Sequence, residues 1–143
     1  MIRNARRIMG VDYGTKRVGV ALSDPLRTIS QGVATLKNDS TMIERLCKII
    51  GERDVECVVA GMPYGPDGGK GAKAIEVEEF IQRLRLATSA DIDTWDESYS
   101  SVHARQVFIA GGMKRKQRQQ KARVDEMAAR LMLQEYLDNH SSK

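Results

Sequence analysis

Residues 8–22 read Ile-Met-Gly-Val-Asp-Tyr-Gly-Thr-Lys-Arg-Val-Gly-Val-Ala-Leu, which is two apolar runs separated by a short turn. This pattern predicts two β-strands that form a hairpin. Asp12 ends the first run, at the mouth of the hairpin. An ionised carboxylate that leaves water must be compensated by a cation or by several hydrogen-bond donors. We therefore expect Asp12 to bind a metal ion or a metal that is bound to phosphate.

The rest of the chain alternates strand-like and helix-like patterns. We expect strands at residues 7–13, 17–23, 31–36, 55–60 and 92–96. A first helix is expected to begin at the capping box Thr41–Glu44. Three further helices are expected at residues 77–84, 102–109 and 124–137. Short turns join the first three strands, which should pair as an antiparallel meander. The pattern predicts an α/β fold with a mixed five-stranded sheet, parallel where helices form the crossovers.

Four segments, in order, resemble the motifs of one family. Residues 10–21 resemble the amino-terminal motif of the YqgF/RuvX family, the Holliday-junction-resolvase-like members of the RNase H superfamily. Residues 58–63 resemble its apolar run ending in Gly-Leu-Pro, residues 95–100 its Asp-Glu-Arg element, and residues 124–133 its carboxy-terminal Asp-x-x-Ala-Ala helix. Ser98 stands where the family usually has arginine, which removes the basis for expecting that arginine's phosphate or carboxylate contact.

The resemblance carries implications for fold and function. It implies an RNase H-like sheet flanked by helices, and a nuclease that matures the 5′ end of pre-16S ribosomal RNA during ribosome biogenesis. An older attribution of the family is the resolution of Holliday junctions in DNA. Association with the ribosome is a partner interaction that fits this function but that no feature of the sequence indicates. The sequence does not distinguish an RNA substrate from a DNA substrate.

Three acids are candidates for a shared site. Asp12 leaves the central strand and Glu97 leaves the end of the fifth strand. We expect these two strands to be neighbours, which would place the two carboxylates close together. Side chains alternate along a strand, so only one of Asp96 and Glu97 can face Asp12, and the resemblance favours Glu97. Asp125 shares a helical stripe with the apolar residues that pack on the sheet. Glu126, four residues before Arg130, is expected to form an exposed ion pair.

Each acid also has a structural explanation, since Asp12 can cap a turn, Glu97 can begin a loop and Asp125 can complement a helix N-terminus. Their predicted convergence favours a metal site instead. Oxygen ligands without His or Cys suit Mg²⁺ or Mn²⁺. Two such ions about 4 Å apart activate water and stabilise the leaving oxygen in phosphodiester hydrolysis. Asp12, Glu97 and Asp125 are therefore the predicted catalytic and metal-binding residues.

Positive charge is concentrated in one segment. Residues 114–123 contain six basic side chains and no acid, leaving 17 basic against 19 acidic residues elsewhere. The basic residues of this segment are Lys114, Arg115, Lys116, Arg118, Lys121 and Arg123. We expect a solvated loop that binds the phosphate backbone of nucleic acid, the alternative being a loop that only keeps the protein in solution.

Three more basic residues are candidates for phosphate contacts. Lys16 and Arg17 follow Asp12, and Lys70 lies in the glycine-rich loop 61–71. This loop lacks the Walker A spacing, because Gly71 follows Lys70 where Ser or Thr is required. It is expected to flank the active cleft, although a plain turn explains it nearly as well.

Length and composition limit the remaining possibilities. The 143 residues suit one domain, 1–143, with a net charge of +4. The amino terminus lacks the apolar core of a signal peptide, and no apolar stretch is long enough to cross a bilayer, so we expect a cytoplasmic protein without a membrane partner. Cys47 and Cys57 lack metal-binding spacing and are expected to be reduced. A monomer or a weak homodimer is expected.

Two functions of other classes compete with the nuclease. Nucleotide-binding ATPases and sugar-kinase-like proteins also use an Asp-x-Gly-Thr string, but they clamp nucleotide between two such domains. A non-catalytic nucleic-acid-binding module is the other candidate, which would lose nothing but binding when the acids are changed to amides.

Overall fold

The structure is a computed structural model, and it describes residues 6–63, 71–96 and 117–140, with the side chains of the last range described from Asp125 onward. The strands in these ranges are β1 (Arg7–Tyr13), β2 (Arg17–Ser23), β3 (Ser30–Lys37), β4 (Val55–Met62) and β5 (Asp91–Asp96). The helices are α1 (Met42–Glu52), α2 (Ala72–Ala87) and α3 (Gln117–His140). The helix expected at 102–109 lies outside the described residues.

The five strands form one mixed sheet in the order β3-β2-β1-β4-β5. The pairs β1–β2 and β2–β3 are antiparallel, whereas β1–β4 and β4–β5 are parallel. The predicted mixed sheet is therefore confirmed. β1 is the central strand, and its five inner residues are all buried because helices cover both faces of the sheet.

Two apolar layers lie on opposite faces of the sheet. Side chains such as Met9, Val11 and Val58 pack against Leu46 of α1 and Phe80 of α2. Ile8, Ala21 and Val59 face the other way and pack against α3. Successive residues of a strand point to opposite faces, so odd-numbered and even-numbered positions of β1 belong to different layers. This alternation assigns Ile8, Gly10 and Asp12 to the α3 face.

Glycines bring α3 close to the strands. A Cβ built on Gly10 of β1 would lie 2.8 Å from the Cβ of Leu133 and 3.3 Å from the carbonyl oxygen of Ala129. Any larger residue at this position requires α3 to move away. Gly10 of β1 and Gly19 of β2 therefore allow the helix backbone itself, and not only its side chains, to rest on the sheet.

The capping box expected at Thr41 is not formed. Thr41 is the N-cap of α1, but its hydroxyl donates to the Asp39 carboxylate at 2.7 Å and makes no capping bond to the helix. The same carboxylate oxygen accepts the backbone N–H of Thr41 at 2.9 Å. Asp39 thus competes successfully for the donors of Thr41 through a local side-chain turn.

The basic segment is also different from its prediction. α3 begins at Gln117, so residues 117–123 are helical and the expected start near residue 124 is wrong. Gln, Lys, Arg and Ala have high intrinsic helix propensity, and the segment has no Gly or Pro to end a helix. Residues 114–116 lie outside the described residues. Within the described part of the chain, no helix has the length and apolar character needed to cross a membrane.

Candidate active site

Asp12 is buried at the carboxyl end of the central strand. Its relative exposure is 1%, and it lies directly opposite Gly19 in the antiparallel ladder of β1 and β2. The turn that follows is held by Asn38, whose side-chain amide donates to the carbonyl oxygen of Gly14 at 2.7 Å. The sequence prediction of a carboxylate taken out of water at a hairpin mouth agrees with this geometry.

Asp125 is brought to the same place by α3. A Cβ built on Gly19 would overlap the carbonyl oxygen of Asp125, so the helix backbone touches β2 at this residue. Directly opposed residues of a ladder project to the same face, which assigns Asp12 and Gly19 to the face that α3 covers. The structure therefore brings Asp12 and Asp125 together on one face of the sheet, around Gly19.

Arg17 supplies a positive charge at this point. Its Nε donates to Oδ2 of Asp125 at 3.2 Å, and the two side chains are 30% and 16% exposed. Arg17 is two residues before Gly19 on β2 and so projects to the same face. The sequence assigned Arg17 to phosphate binding, whereas in the structure its guanidinium is engaged by a candidate site acid.

The structure describes only one of the two candidate acids at the end of β5. Asp96 pairs in register with Met62, a residue of the layer under α1 and α2, so Asp96 belongs to the face opposite Asp12. The alternation thereby disfavours Asp96 as a partner of Asp12. Glu97 lies outside the described residues.

The strands that lead to Asp12 and Glu97 are not neighbours, contrary to the expectation. β4 lies between β1 and β5, so two strand spacings, roughly 10 Å, separate them. The β4 residue beside Asp12 is Gly61, which lies on the same face of the strand as Cys57 and Val59 of the α3 layer. Because Gly61 has no side chain, β4 places no bulk on the α3 face between the ends of β1 and β5.

The other predicted basic residues are placed only in part. Lys16 is exposed in the turn after Asp12. Arg118, Lys121 and Arg123 belong to the first turns of α3, the helix that carries Asp125. Lys70, Lys114, Arg115 and Lys116 lie outside the described residues.

Sequence reasoning also missed a cluster around Tyr13, which follows Asp12 but projects to the opposite face of the sheet. Tyr13 stacks on Phe80 with ring centroids 4.7 Å apart, and Lys73 of α2 lies over the Tyr13 ring, its Nζ 5.7 Å from the centroid. Arg83 donates to the Tyr13 hydroxyl at 3.5 Å. Nothing in the sequence marks these two cations. Gly19 was also missed, although a glycine inside a strand is a signal of close backbone approach.

Glu126 does not form the expected exposed pair with Arg130. Among the ion pairs of the described residues, none joins these two side chains, and Glu126 is half-buried. A Cβ on Gly32 of β3 would lie 2.9 Å from Cγ of Glu126, so this side chain covers the glycine of β3. The helical spacing predicted the pair correctly for an isolated helix, but packing against the sheet redirects Glu126.

A polar group further along the α3 face is structural. The Tyr136 hydroxyl donates to Oδ2 of Asp93 at 2.8 Å, and burial raises the pKa of Tyr136 above its ordinary value. Burial also raises the pKa of the Cys57 thiol to about 11, with the nearby Asp93 carboxylate adding to the shift. The thiol stays protonated at neutral pH and is a poor nucleophile. Both cysteines of the chain are free.

The donor set suits a hard divalent cation. Asp12 and Asp125 offer carboxylate oxygens, and the guanidinium of Arg17 already occupies the position of a cation beside Asp125. No cluster of three or more His, Cys, Asp and Glu side chains capable of holding a metal occurs among residues 6–63, 71–96 and 125–140. A two-carboxylate site leaves coordination positions for substrate and water, as Mg²⁺ commonly retains.

The chain is similar over nearly its whole length to bacterial proteins of one name. A protein of Chlorobaculum tepidum named "Putative pre-16S rRNA nuclease" is 39% identical over 137 residues, covering 95% of this chain and 96% of the relative. A protein of Syntrophomonas wolfei with the same name is 40% identical over 140 residues, covering 94% and 96%. Identity at this level over both full chains shows common membership of a family.

Solved resolvases share the fold. RuvC of T. thermophilus in complex with Holliday junction substrate has a TM-score of 0.57 at 10% identity, covering 96% of each chain. The Fowlpox virus resolvase with Holliday junction DNA has a TM-score of 0.54 at 12% identity, covering 93% of this chain and 97% of the other. These likenesses confirm the RNase H-like fold that the sequence motifs implied.

The family model described as RuvX, Holliday junction resolvase, matches residues 6–139. This range contains Asp12, Arg17 and Asp125 as well as the segment around Glu97. It confirms the family resemblance of the four sequence motifs and agrees with the prediction of a phosphodiester hydrolase. The chain belongs to the RuvX family.

Proposed function

We propose that this protein is a divalent-metal-dependent endonuclease that cleaves the precursor of 16S ribosomal RNA near its 5′ end. The observation that carries the proposal is the pairing of a buried carboxylate, Asp12, with Asp125 across Gly19. Two carboxylates on one face of a sheet offer the oxygen ligands that a divalent cation prefers, and the guanidinium of Arg17 lies beside Asp125. The family and the names of its members support a phosphodiester as the substrate.

Asp12, Asp125 and Glu97 are the proposed metal-binding residues. Glu97 is included because β5, the strand before it, is parallel to β4 and β1 and so ends at the same edge of the sheet. Bound Mg²⁺ or Mn²⁺ would polarise the scissile phosphate and lower the pKa of water. The chain itself contributes the orientation of the acids, since Asp12 is fixed by the central strand and Asp125 by the contact of α3 with Gly19.

The nucleic-acid path is proposed to run along the basic start of α3. Arg118, Lys121 and Arg123 precede Asp125 on this helix, and Lys16 follows Asp12 on the adjacent turn. Cations on both sides of the acids suit a phosphate backbone that crosses the site. Lys70, Lys114, Arg115 and Lys116 are proposed to extend the same contact. We further propose that residues 1–143 form one nuclease domain. This domain would act in the cytoplasm and contact the ribosomal precursor particle.

Branched DNA is the second candidate substrate. The description of the family model and the junction complex of RuvC favour it. RNA is the preferred substrate because the relatives named for pre-16S rRNA are about 40% identical to this chain, whereas the junction-bound resolvases are 10–12% identical. Low identity supports the fold but carries little information on the substrate.

A side-by-side cleavage assay tests the proposal. Wild type, Asp12→Asn and the matched control Asp138→Asn, an exposed acid of α3, are incubated with a pre-16S leader RNA, a four-way DNA junction and a plain DNA duplex, each with Mg²⁺ and with chelator. We expect wild type and Asp138→Asn to cleave the leader RNA in the presence of Mg²⁺. Asp12→Asn should not cleave it. Preferred cleavage of the junction would establish the second candidate, and cleavage that survives in Asp12→Asn would overturn the site.

A further inference from the structure

Arg17 is the cation of the described site, and its position is set by the sheet. It begins β2 two residues before Gly19, the residue opposite Asp12, and its Nε lies 3.2 Å from Oδ2 of Asp125. The side chain is 30% exposed, so its outer surface reaches solvent at the site. The contact joins residues 108 positions apart in the chain and fixes α3 to β2.

The charges around Arg17 explain why it is needed. Asp12 and Asp125 are carboxylates on the same face, and like charges that share a site repel each other. Arg17 reduces that repulsion in the absence of a metal. The arrangement has a single nitrogen contact to one oxygen, which is weaker and more easily exchanged than a bidentate arginine–carboxylate pair.

We propose that Arg17 is an exchangeable counter-ion, which compensates Asp125 in the metal-free protein and moves to a phosphate of the substrate when a divalent cation takes over that carboxylate. The inference rests on the proposed metal site. It assigns Arg17 a positioning role before metal binding and a substrate contact afterwards. The proposal accounts both for the sequence prediction that Arg17 binds phosphate and for the observed ion pair of Arg17 with Asp125.

The proposal has opposite consequences for metal and for substrate. Removing the positive charge takes away a competitor for Asp125, so the metal should bind more tightly. It also takes away a phosphate contact, so the substrate should bind more weakly. An arginine that merely holds α3 in place would give a different pattern, because its loss would loosen the site and weaken both.

The test measures Mn²⁺ binding to the full metal-free chain by isothermal titration calorimetry, without nucleic acid. Arg17→Gln should bind Mn²⁺ about fivefold more tightly than wild type, equivalent to about 1 kcal/mol. Arg17→Lys should remain within about twofold because it keeps the charge. Arg27→Gln is the control: Arg27 forms a comparable ion pair with Glu56 at 2.7 Å, beyond the other end of β2.

The second measurement is cleavage of the leader RNA at saturating Mn²⁺. Arg17→Gln should raise KM about fivefold with kcat of the same order as wild type, and Arg27→Gln should leave both unchanged. Equal or weaker Mn²⁺ binding by Arg17→Gln would contradict the proposed exchange and would show that Arg17 only holds α3 in place. If wild type itself binds no Mn²⁺, the proposed metal site is wrong and this inference is wrong with it.

A measurement on the wild type covers the case in which Arg17→Gln does not fold. The Nε–H resonance of Arg17 can be assigned by its absence from the spectrum of Arg17→Lys. Titration with diamagnetic Mg²⁺ should shift this resonance and increase its exchange with water, because the hydrogen bond to Asp125 is released. A resonance that stays protected at saturating Mg²⁺ would show that the ion pair persists and would contradict the proposal.

Discussion

Gly19 lies directly opposite Asp12 across the β1–β2 ladder, and the carbonyl oxygen of Asp125 occupies the space that a side chain at position 19 would need. The spacing between the two acids therefore depends on the absence of a single Cβ. Close packing makes such a position intolerant, since even one added methyl group must displace backbone.

Gly19→Ala is expected to move α3 away from β2 and separate Asp125 from Asp12. Overpacking of this kind costs about 1–3 kcal/mol in the free energy of unfolding, and cleavage should fall by more than tenfold. Gly51→Ala in α1 is the control, because nothing lies within 4 Å of its added Cβ and alanine favours a helix. Urea denaturation and cleavage rates measure both effects, and normal rates in Gly19→Ala would disprove the spacing argument.

Asp12→Asn, Asp125→Asn and Glu97→Gln should each abolish phosphodiester cleavage while circular dichroism shows an intact fold. Loss of one ligand from a shared metal site costs orders of magnitude in rate. Removing the charge of Asp12 also relieves its repulsion with Asp125, so metal-free Asp12→Asn should be no less stable than wild type. Turnover by any of the three in Mn²⁺ would exclude that residue from the site.

Mg²⁺ or Mn²⁺ should raise the unfolding temperature of wild type more than that of Asp12→Asn. A ligand that binds only the folded state stabilises it by about 1.4 kcal/mol at ten times its Kd. The comparison is made by calorimetry at matched ionic strength, so that a general salt effect cancels. Equal shifts in the two proteins would place the metal away from Asp12.

Replacing Lys114, Arg115, Lys116 and Arg118 by Gln should weaken nucleic-acid binding on all sequences without changing metal affinity. Each lost phosphate contact should make the slope of log affinity against log salt shallower by roughly 0.9 for duplex substrates. Glutamine maintains helix propensity, so α3 should keep its start. Filter binding over a salt series measures the slope. An unchanged slope would mean that the nucleic-acid path runs past Lys16, Arg17 and Lys70 instead.

Stability should fall as pH rises above 9. The pKa of the Cys57 thiol is raised to about 11 in the folded state from an ordinary value of 9.0. The unfolded chain therefore loses this proton first, and the stabilisation present below pH 9 is lost as pH rises towards 11. Tyr136, whose pKa is also raised, extends the loss to higher pH. Urea midpoints at pH 8, 9.5 and 10.5 should decline less steeply in Cys57→Val, and identical declines would show another cause.

The sheet was predictable because its strands have clear local patterns. Buried runs such as 8–11 and 18–22 are apolar throughout, and their turns are short, so both the strands and the antiparallel meander followed from the sequence. Strand order was less accessible. The position of β4 between β1 and β5 depends on parallel crossovers, which local patterns do not encode.

The site was predictable as a set of acids but not as an arrangement. Asp12 and Asp125 stood out because the sequence pattern places each charge on the side of its strand or helix that faces the core. The Arg17–Asp125 pair did not, since 108 positions separate its members and no periodicity connects them. The start of α3 is not evident from charge, because a run of like charges is typical of a solvated loop, whereas Lys, Arg and Gln are also good helix formers.

The contact between Arg17 and Asp125 also has a consequence for biosynthesis. Strands β1 to β4 emerge from the ribosome before α3, and amino-terminal segments fold first during synthesis. Asp125 follows Arg17 by 108 positions in the chain, so the contact between α3 and β2 can form only after the strands that carry Asp12 and Arg17 have been synthesised. The grouping of the two acids around Gly19 is therefore expected to form late in folding, when α3 packs on the sheet.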